Sequence, residues 1–288
     1  MLYSFNGPDG TNPQAGVIVG PDGNVYGDTF LGGTLGGGVI FQLVPGNGDQ
    51  WTENVLHNLR GSTDGGVPES TLVFDAAGSL YGTTSGGGIH NGGTVFRLSP
   101  SGGAWTFDVL YSFEGRGGGG DGWDCRAGVI LDATGNLYGT TVGGGEDRSG
   151  TVFELSPGQS GWTERILYSF HLLAGAAPKS ALRFDQAGDL YGTTANGGPR
   201  DSCGGLGCGT VFKLTPGTDG VWTQSVFRFP ENGSMGLFPV NDAPLYLDSL
   251  GNVYGVTYQG GKYDGGVLFE IPNTAGNLQQ AADISISR

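Results

Sequence analysis

One tyrosine motif, G-x-[LV]-Y-G-x-T or close to it, recurs five times along the chain, at Tyr26, Tyr81, Tyr138, Tyr191 and Tyr254. The spacings are 55, 57, 53 and 63 residues. A self-similar period of this length is the signature of a repeat architecture, and it constrains the fold more than any composition does. Two further motifs keep the same phase. One ends in Phe41, Phe96, Phe153, Phe212 and Phe269; the other starts at Trp51, Trp105 and Trp162, with a looser copy at Trp222.

Each unit divides into four short strands. In the first they are read as A at Ala15 to Val19, B at Asn24 to Thr29, C at Gly38 to Leu43 and D at Trp51 to Leu59. Strands B to D mix β-branched and aromatic residues between Gly, Asn, Asp and Pro punctuation, as strands do. The A–B turns are of Asp-x-x-Gly-Asn type, as in Asp132 to Asn136. Gly or Asn there accepts the positive φ that a tight turn needs. The 60 glycines and 14 prolines are therefore turn chemistry in register with the period, not low complexity.

Four antiparallel strands per unit predict an all-β, five-bladed β-propeller forming one domain over residues 1–288. Its units run approximately 1–53, 54–107, 108–164, 165–224 and 225–288. The fifth W-T motif is missing at the C-terminus, and its second half stands at the N-terminus as Leu2 to Phe5, matching Leu110 to Phe113. The expectation is a ring closed by that N-terminal strand, leaving no free edge, and hence a monomer. The same match argues that the chain opens inside a repeat strand and not on an export signal.

The quoted residues resemble a known family. Gly135 to Thr141, Gly143-Gly144 and Gly150 to Pro157 are similar to the GloVer tandem repeats of bacterial surface proteins. The resemblance implies export and display outside the cell or at its surface. It implies no catalytic residues.

Charge narrows the partners. With 13 Lys and Arg against 27 Asp and Glu, the net charge is −14. That repels nucleic acid and anionic lipid. No apolar run is long enough for membrane insertion. Neutral ligands such as sugars, basic molecules and cations stay open.

The five tyrosines could stack on sugars, but repeated positions mostly bury the faces between units, and that reading is preferred here. Residues that break the repeat are more informative, above all in the B–C and D–A loops, which share one end of a propeller and vary most. The third D–A loop is expanded over Gly115 to Ala127 and carries Asp121, Trp123 and Asp124. An aromatic ring beside carboxylates suits a sugar face and its hydroxyls, so these three are candidate ligand residues. Tyr258 and Tyr263, in the fifth B–C loop, are further candidates.

Aspartates recur in the D–A loops as Asp9, Asp64 and Asp121. They could form a broken acidic ring for calcium, although turn formation explains Asp-Gly more simply. No cofactor or metal site is expected. Cys203 and Cys208 bracket an insertion unique to the fourth B–C loop, which predicts a disulfide in an exported protein and leaves Cys125 over.

No nucleophile elbow or zinc-protease motif is present. The reading is thus a non-catalytic, extracellular propeller that binds carbohydrate or another surface polymer. The alternatives are a glycoside hydrolase or lyase working with acids near the axis, such as Asp28, Asp121 or Asp124, and a structural spacer without ligand.

Overall fold

The computed structural model describes residues 1–117, 120–198, 203–240, 243–273 and 278. It is all-β apart from two three-residue 3₁₀ turns, Leu172–Ala174 and Cys203–Gly205. Among the described residues, twenty-one strands form five antiparallel sheets.

Sheet one is β1 (Ile18–Val19), β2 (Val25–Thr29), β3 (Val39–Pro45) and β4 (Trp51–Asn58), hydrogen-bonded in that order. Sheet two repeats it with β5 (Val73–Phe74), β6 (Leu80–Thr84), β7 (Thr94–Ser101) and β8 (Ala104–Ser112). Sheet three does so with β9 (Ile130–Leu131), β10 (Leu137–Thr141), β11 (Thr151–Gly158) and β12 (Gly161–Ser169). Sheet four contains β13 (Ala176–Pro178), β14 (Arg183–Phe184), β15 (Leu190–Asn196), β16 (Thr210–Pro216) and β17 (Trp222–Arg228). Sheet five contains β18 (Leu237–Pro239), β19 (Tyr246–Leu247), β20 (Val253–Gln259) and β21 (Leu268–Ile271).

The repeat motifs are cross-strand partners. Each Tyr-Gly glycine lies opposite the motif phenylalanine on the next strand, as Gly139 does opposite Phe153. The phenylalanine ring lies over that glycine. A Cβ added at Gly27, Gly82, Gly139, Gly192 or Gly255 would stand 2.4–2.7 Å from the ring tip, closer than packing allows.

The tyrosine beside each glycine points to the opposite face. Its hydroxyl donates to the aspartate of its own A–B turn: Tyr26 to Asp22 (2.7 Å), Tyr81 to Asp75 (3.0 Å), Tyr138 to Asp132 (3.1 Å), Tyr191 to Asp185 and Tyr254 to Asp248 (both 3.2 Å). The same aspartate accepts backbone N–H groups inside its turn, as Asp132 does from Thr134 and Asn136. Turn, strand and inter-sheet packing are thereby tied together by one side chain per unit.

Neighbouring sheets bury their faces on one another. Tyr26, Ile40 and Leu59 of sheet one meet Leu72, Leu80, Phe96 and Leu98 of sheet two, and equivalent clusters join sheets two to three, three to four and four to five. Each buried Leu or Phe contributes about 1.5–3 kcal/mol of transfer free energy.

The N-terminal segment departs from expectation. Residues 2–5 form no strand, and among the described residues β21 pairs only with β20, so the predicted closing ladder is not made. The segment packs by its side chains instead. Phe5 meets Phe41 of sheet one edge-on at 5.1 Å, as Phe113 meets Phe153 of sheet three at 5.1 Å. Tyr3 and Phe5 thus stand against sheet one where the end of a preceding strand D would stand.

Candidate functional site

The B–C and D–A loops share one end of the array, as their pairing across it demonstrates. Thr11 bridges Leu31, Gly66 bridges Gly86 and Trp123 bridges Gly143. In sheets four and five the same contact lengthens into β13 and β18, which pair with the ends of β15 and β20.

The residue after each bridge is left-handed in all five units: Asn12 (φ 59°), Val67 (60°), Asp124 (65°), Ala177 (53°) and Phe238 (55°). This conformation is costly for a β-branched residue such as valine, so the scaffold imposes it. Five different side chains sit on one fixed backbone geometry, which is how a repeat scaffold presents variable groups.

At the third of these positions Asp124 lines a cavity of about 560 Å³ between the loops of sheets two and three. Trp123, Arg116 and Arg126 come from the expanded D–A loop, and His90 and Asn91 from the B–C loop of sheet two. Asp124 Oδ1 accepts from Arg126 Nε at 2.9 Å, and Glu69 lies 3.7 Å from the same guanidinium nitrogen. Trp123 is half-buried. Its indole covers Gly143 so closely that a Cβ there would be 2.2 Å from the ring. One indole face is therefore committed to packing, and the ring is held by the scaffold.

Asp121 is not part of this wall. It accepts the Tyr111 hydroxyl at 2.9 Å and the Glu114 amide at 3.1 Å. Asp9 accepts from Tyr3 (2.5 Å) and the Asn6 amide, and Asp64 engages His57 (3.1 Å) and the Arg60 amide. The D–A aspartates are thus loop caps bonded to the end of the preceding strand D, which explains why they recur. Among the described residues no group of three or more His, Cys, Asp and Glu side chains converges as a metal site would.

Two glutamates were missed by the sequence reading. Glu164, on β12, is pushed up to about 7 by burial and then by the Asp121 carboxylate. Glu53, on β4, is likewise raised to about 7 by burial and then by Asp9. Both follow the W-T pair, where Phe107 and Gln224 stand in the other copies, so a carboxylate there breaks the repeat. Neither lines the cavity that holds Asp124, and each has one buried oxygen without a hydrogen-bond partner.

The remaining candidates are dispersed. Tyr258, 72% exposed, lines a separate cavity of about 480 Å³ with Lys179, Asn196 and Phe238. Tyr263 is exposed, with Lys262 Nζ 5.3 Å from its ring centre. Asp28 is buried within β2 opposite Ile40. Cys203 and Cys208 are joined, their Cα atoms 5.3 Å apart, while Cys125 is a buried thiol.

The sequence expectations therefore converge only at Trp123 and Asp124. The nitrogen-bearing side of that cavity, Arg116, Arg126 and His90, was not foreseen. Its signal was the scarcity of basic residues, two of the 13 Lys and Arg falling within one loop.

No helix among the described residues is long and apolar enough to cross a membrane. The fold is similar to that of a protein of unknown function from Dyadobacter fermentans (TM-score 0.50, 12% identity, covering 88% of this chain and 77% of that one). A solved structure described as a candidate gluconolactonase aligns at a TM-score of 0.48 and 15% identity, covering 92% and 76%. No curated protein matches the chain. The profile of the Gloeobacter/Verrucomicrobia repeat matches residues 1–202 and 105–287, and the chain belongs to that repeat family.

Proposed function

We propose that the five sheets are the blades of an extracellular, non-catalytic binding propeller. Its ligand is carbohydrate or another surface polymer, taken up by the cavity between the loops of sheets two and three. The observation that carries this reading is the meeting of Trp123, Asp124, Arg126 and His90 around one opening of about 560 Å³. A volume of that order suits one or two sugar rings. The ring edge and its exposed face offer a stacking surface, and the charged and amide groups offer hydrogen bonds to hydroxyls.

Catalysis is disfavoured by where the acids stand. Glycoside hydrolysis needs two carboxylates facing one bond. Asp124 is engaged with Arg126, Asp121 caps its loop, and neither glutamate raised to about 7 lines the cavity that holds Asp124.

A glycan array run beside a hydrolysis screen on the same polysaccharides tests the proposal. Binding without turnover supports it. Turnover lost on Asp124→Asn supports an enzyme, and silence in both assays supports a spacer.

A further inference from the structure

The Asp124 cavity has a counterpart two junctions on. Between the loops of sheets four and five, Lys179, Ala195, Asn196, Phe238, Pro239 and Tyr258 line a cavity of about 480 Å³. The scaffold position is the same. Ala195 and Asn196 stand where Ser85 and Gly86 stand, and Phe238 holds the left-handed position of Asp124. Lys179 directly follows β13, and Pro239 ends β18, so this junction has paired strands where the first three sheets have single bridges. The Phe238 N–H donates to the Cys208 carbonyl at 2.8 Å, which ties the wall to the disulfide loop.

The electrostatics of the two cavities differ through the residue two places after each left-handed position. Across the junction of sheets two and three these residues are Glu69 and Arg126, 3.7 Å apart, and Asp124 accepts from the same guanidinium. Across the junction of sheets four and five they are Lys179 and Val240, which both line the cavity. Lys179 is half-buried. Among the described residues no carboxylate oxygen lies within 4.0 Å of its ammonium. An ammonium so placed gives up hydration and gains no ion pair in return. The fold does not require it, because Gln14, Glu69, Arg126 and Val240 hold the same position in the other sheets. Among the described residues that line the cavity, Lys179 alone carries a charge.

We infer that this cavity is a second binding site and takes a carboxylate carried on a sugar ring, a uronate. The ammonium of Lys179 is the partner of the carboxylate, and a charge-assisted hydrogen bond is about twice as strong as a neutral one. One ammonium matches one carboxylate; a phosphate dianion calls for a second cation, and none lines the cavity among the described residues. Phe238 and Tyr258 supply aromatic surface for the ring, and the Asn196 amide suits its hydroxyls. The net charge of −14 opposes an anion only weakly from a distance, since salt screens exposed charges beyond about 8–10 Å. The site is separate from that at Asp124, and a neutral glycan adds no equivalent here.

Calorimetric titration of the full chain with sodium glucuronate, at neutral pH and low salt, tests this, with glucose and inorganic phosphate as comparisons. The expected result is one equivalent of glucuronate, bound at least about tenfold more tightly than either comparison. Lys179→Gln should weaken glucuronate binding about tenfold or more, and Lys179→Arg should retain it. Tyr258→Ala removes an exposed ring and should also weaken it. Asp124→Asn should leave it unchanged, and all four variants should keep the wild-type melting temperature. Absence of glucuronate binding at millimolar concentrations would overturn the inference. So would equal affinity for glucose or phosphate, or binding indifferent to Lys179→Gln. Loss of glucuronate binding in Asp124→Asn would overturn it too, by placing the uronate in the first cavity.

Discussion

Gly139 lies directly across the ladder from Phe153, and the phenylalanine ring tip reaches within 2.5 Å of where a Cβ on residue 139 would stand. This contact recurs in every sheet and explains why the Tyr-Gly and phenylalanine motifs keep phase. Gly139→Ala should therefore overpack the third sheet and cost about 1–3 kcal/mol. Urea unfolding monitored by tryptophan fluorescence reads the loss.

Tyr138 gives a contrasting expectation. It bonds Asp132 and Glu154 and packs on Phe184. Tyr138→Phe keeps the packing but leaves both acids one donor short, so stability should fall by about 0.5–1.5 kcal/mol. Affinity for any ligand should not change. A variant that kept its stability but lost a sugar ligand would return the tyrosines to the binding surface.

Stability should depend on pH through Glu53 and Glu164. Both have folded-state values of about 7, above the ordinary 4.5. Between 4.5 and about 7 the folded state holds more protons than the unfolded one. Their contribution to stability therefore falls as pH rises through that window and stays low above it. Glu164→Gln should leave stability nearly unchanged at pH 4 and raise it at pH 8. Denaturant midpoints of the two proteins that run parallel from pH 4 to 8 would contradict this.

The three cysteines should behave unequally. In oxidising buffer the native protein should resist alkylation, because Cys203 and Cys208 are joined and the Cys125 thiol is buried and pushed up by burial. Mild reduction should expose two reactive thiols and lower stability by roughly 2 kcal/mol, the chain-entropy value for so short a loop. Cys125 should react only on unfolding. Mass spectrometry after stepwise labelling distinguishes the three.

How far the chain could be read in advance follows from what carried the signal. Strands, turns and sheet order were legible because Tyr26, Gly27 and Phe41 and their copies repeat a chemical contact, and repetition is visible in sequence. The bond from each tyrosine to its turn aspartate was not foreseen, although the two recur four or six residues apart. The cavity was half legible. Trp123 and Asp124 stood out as breaks in the pattern, but adjacency along the chain does not fix direction, and Asp121 turns back to Tyr111. Arg116, Arg126 and His90 come from two loops that only the tertiary arrangement brings together. The exposure of Leu268 and Val17 was hidden for a different reason: both look like core residues because their counterparts are.

The central claim is one asymmetric ligand site per chain, and isothermal titration calorimetry tests it most directly. The titrant is the glycan that the array identifies, and the Asp124→Asn variant is the comparison. Asparagine occupies the same left-handed position at Asn12, so the backbone tolerates the change. The account predicts one equivalent bound per chain, an affinity lowered about tenfold in the variant (about 1.4 kcal/mol) and an unchanged melting temperature. Five equivalents per chain, or an affinity indifferent to Asp124, would contradict it.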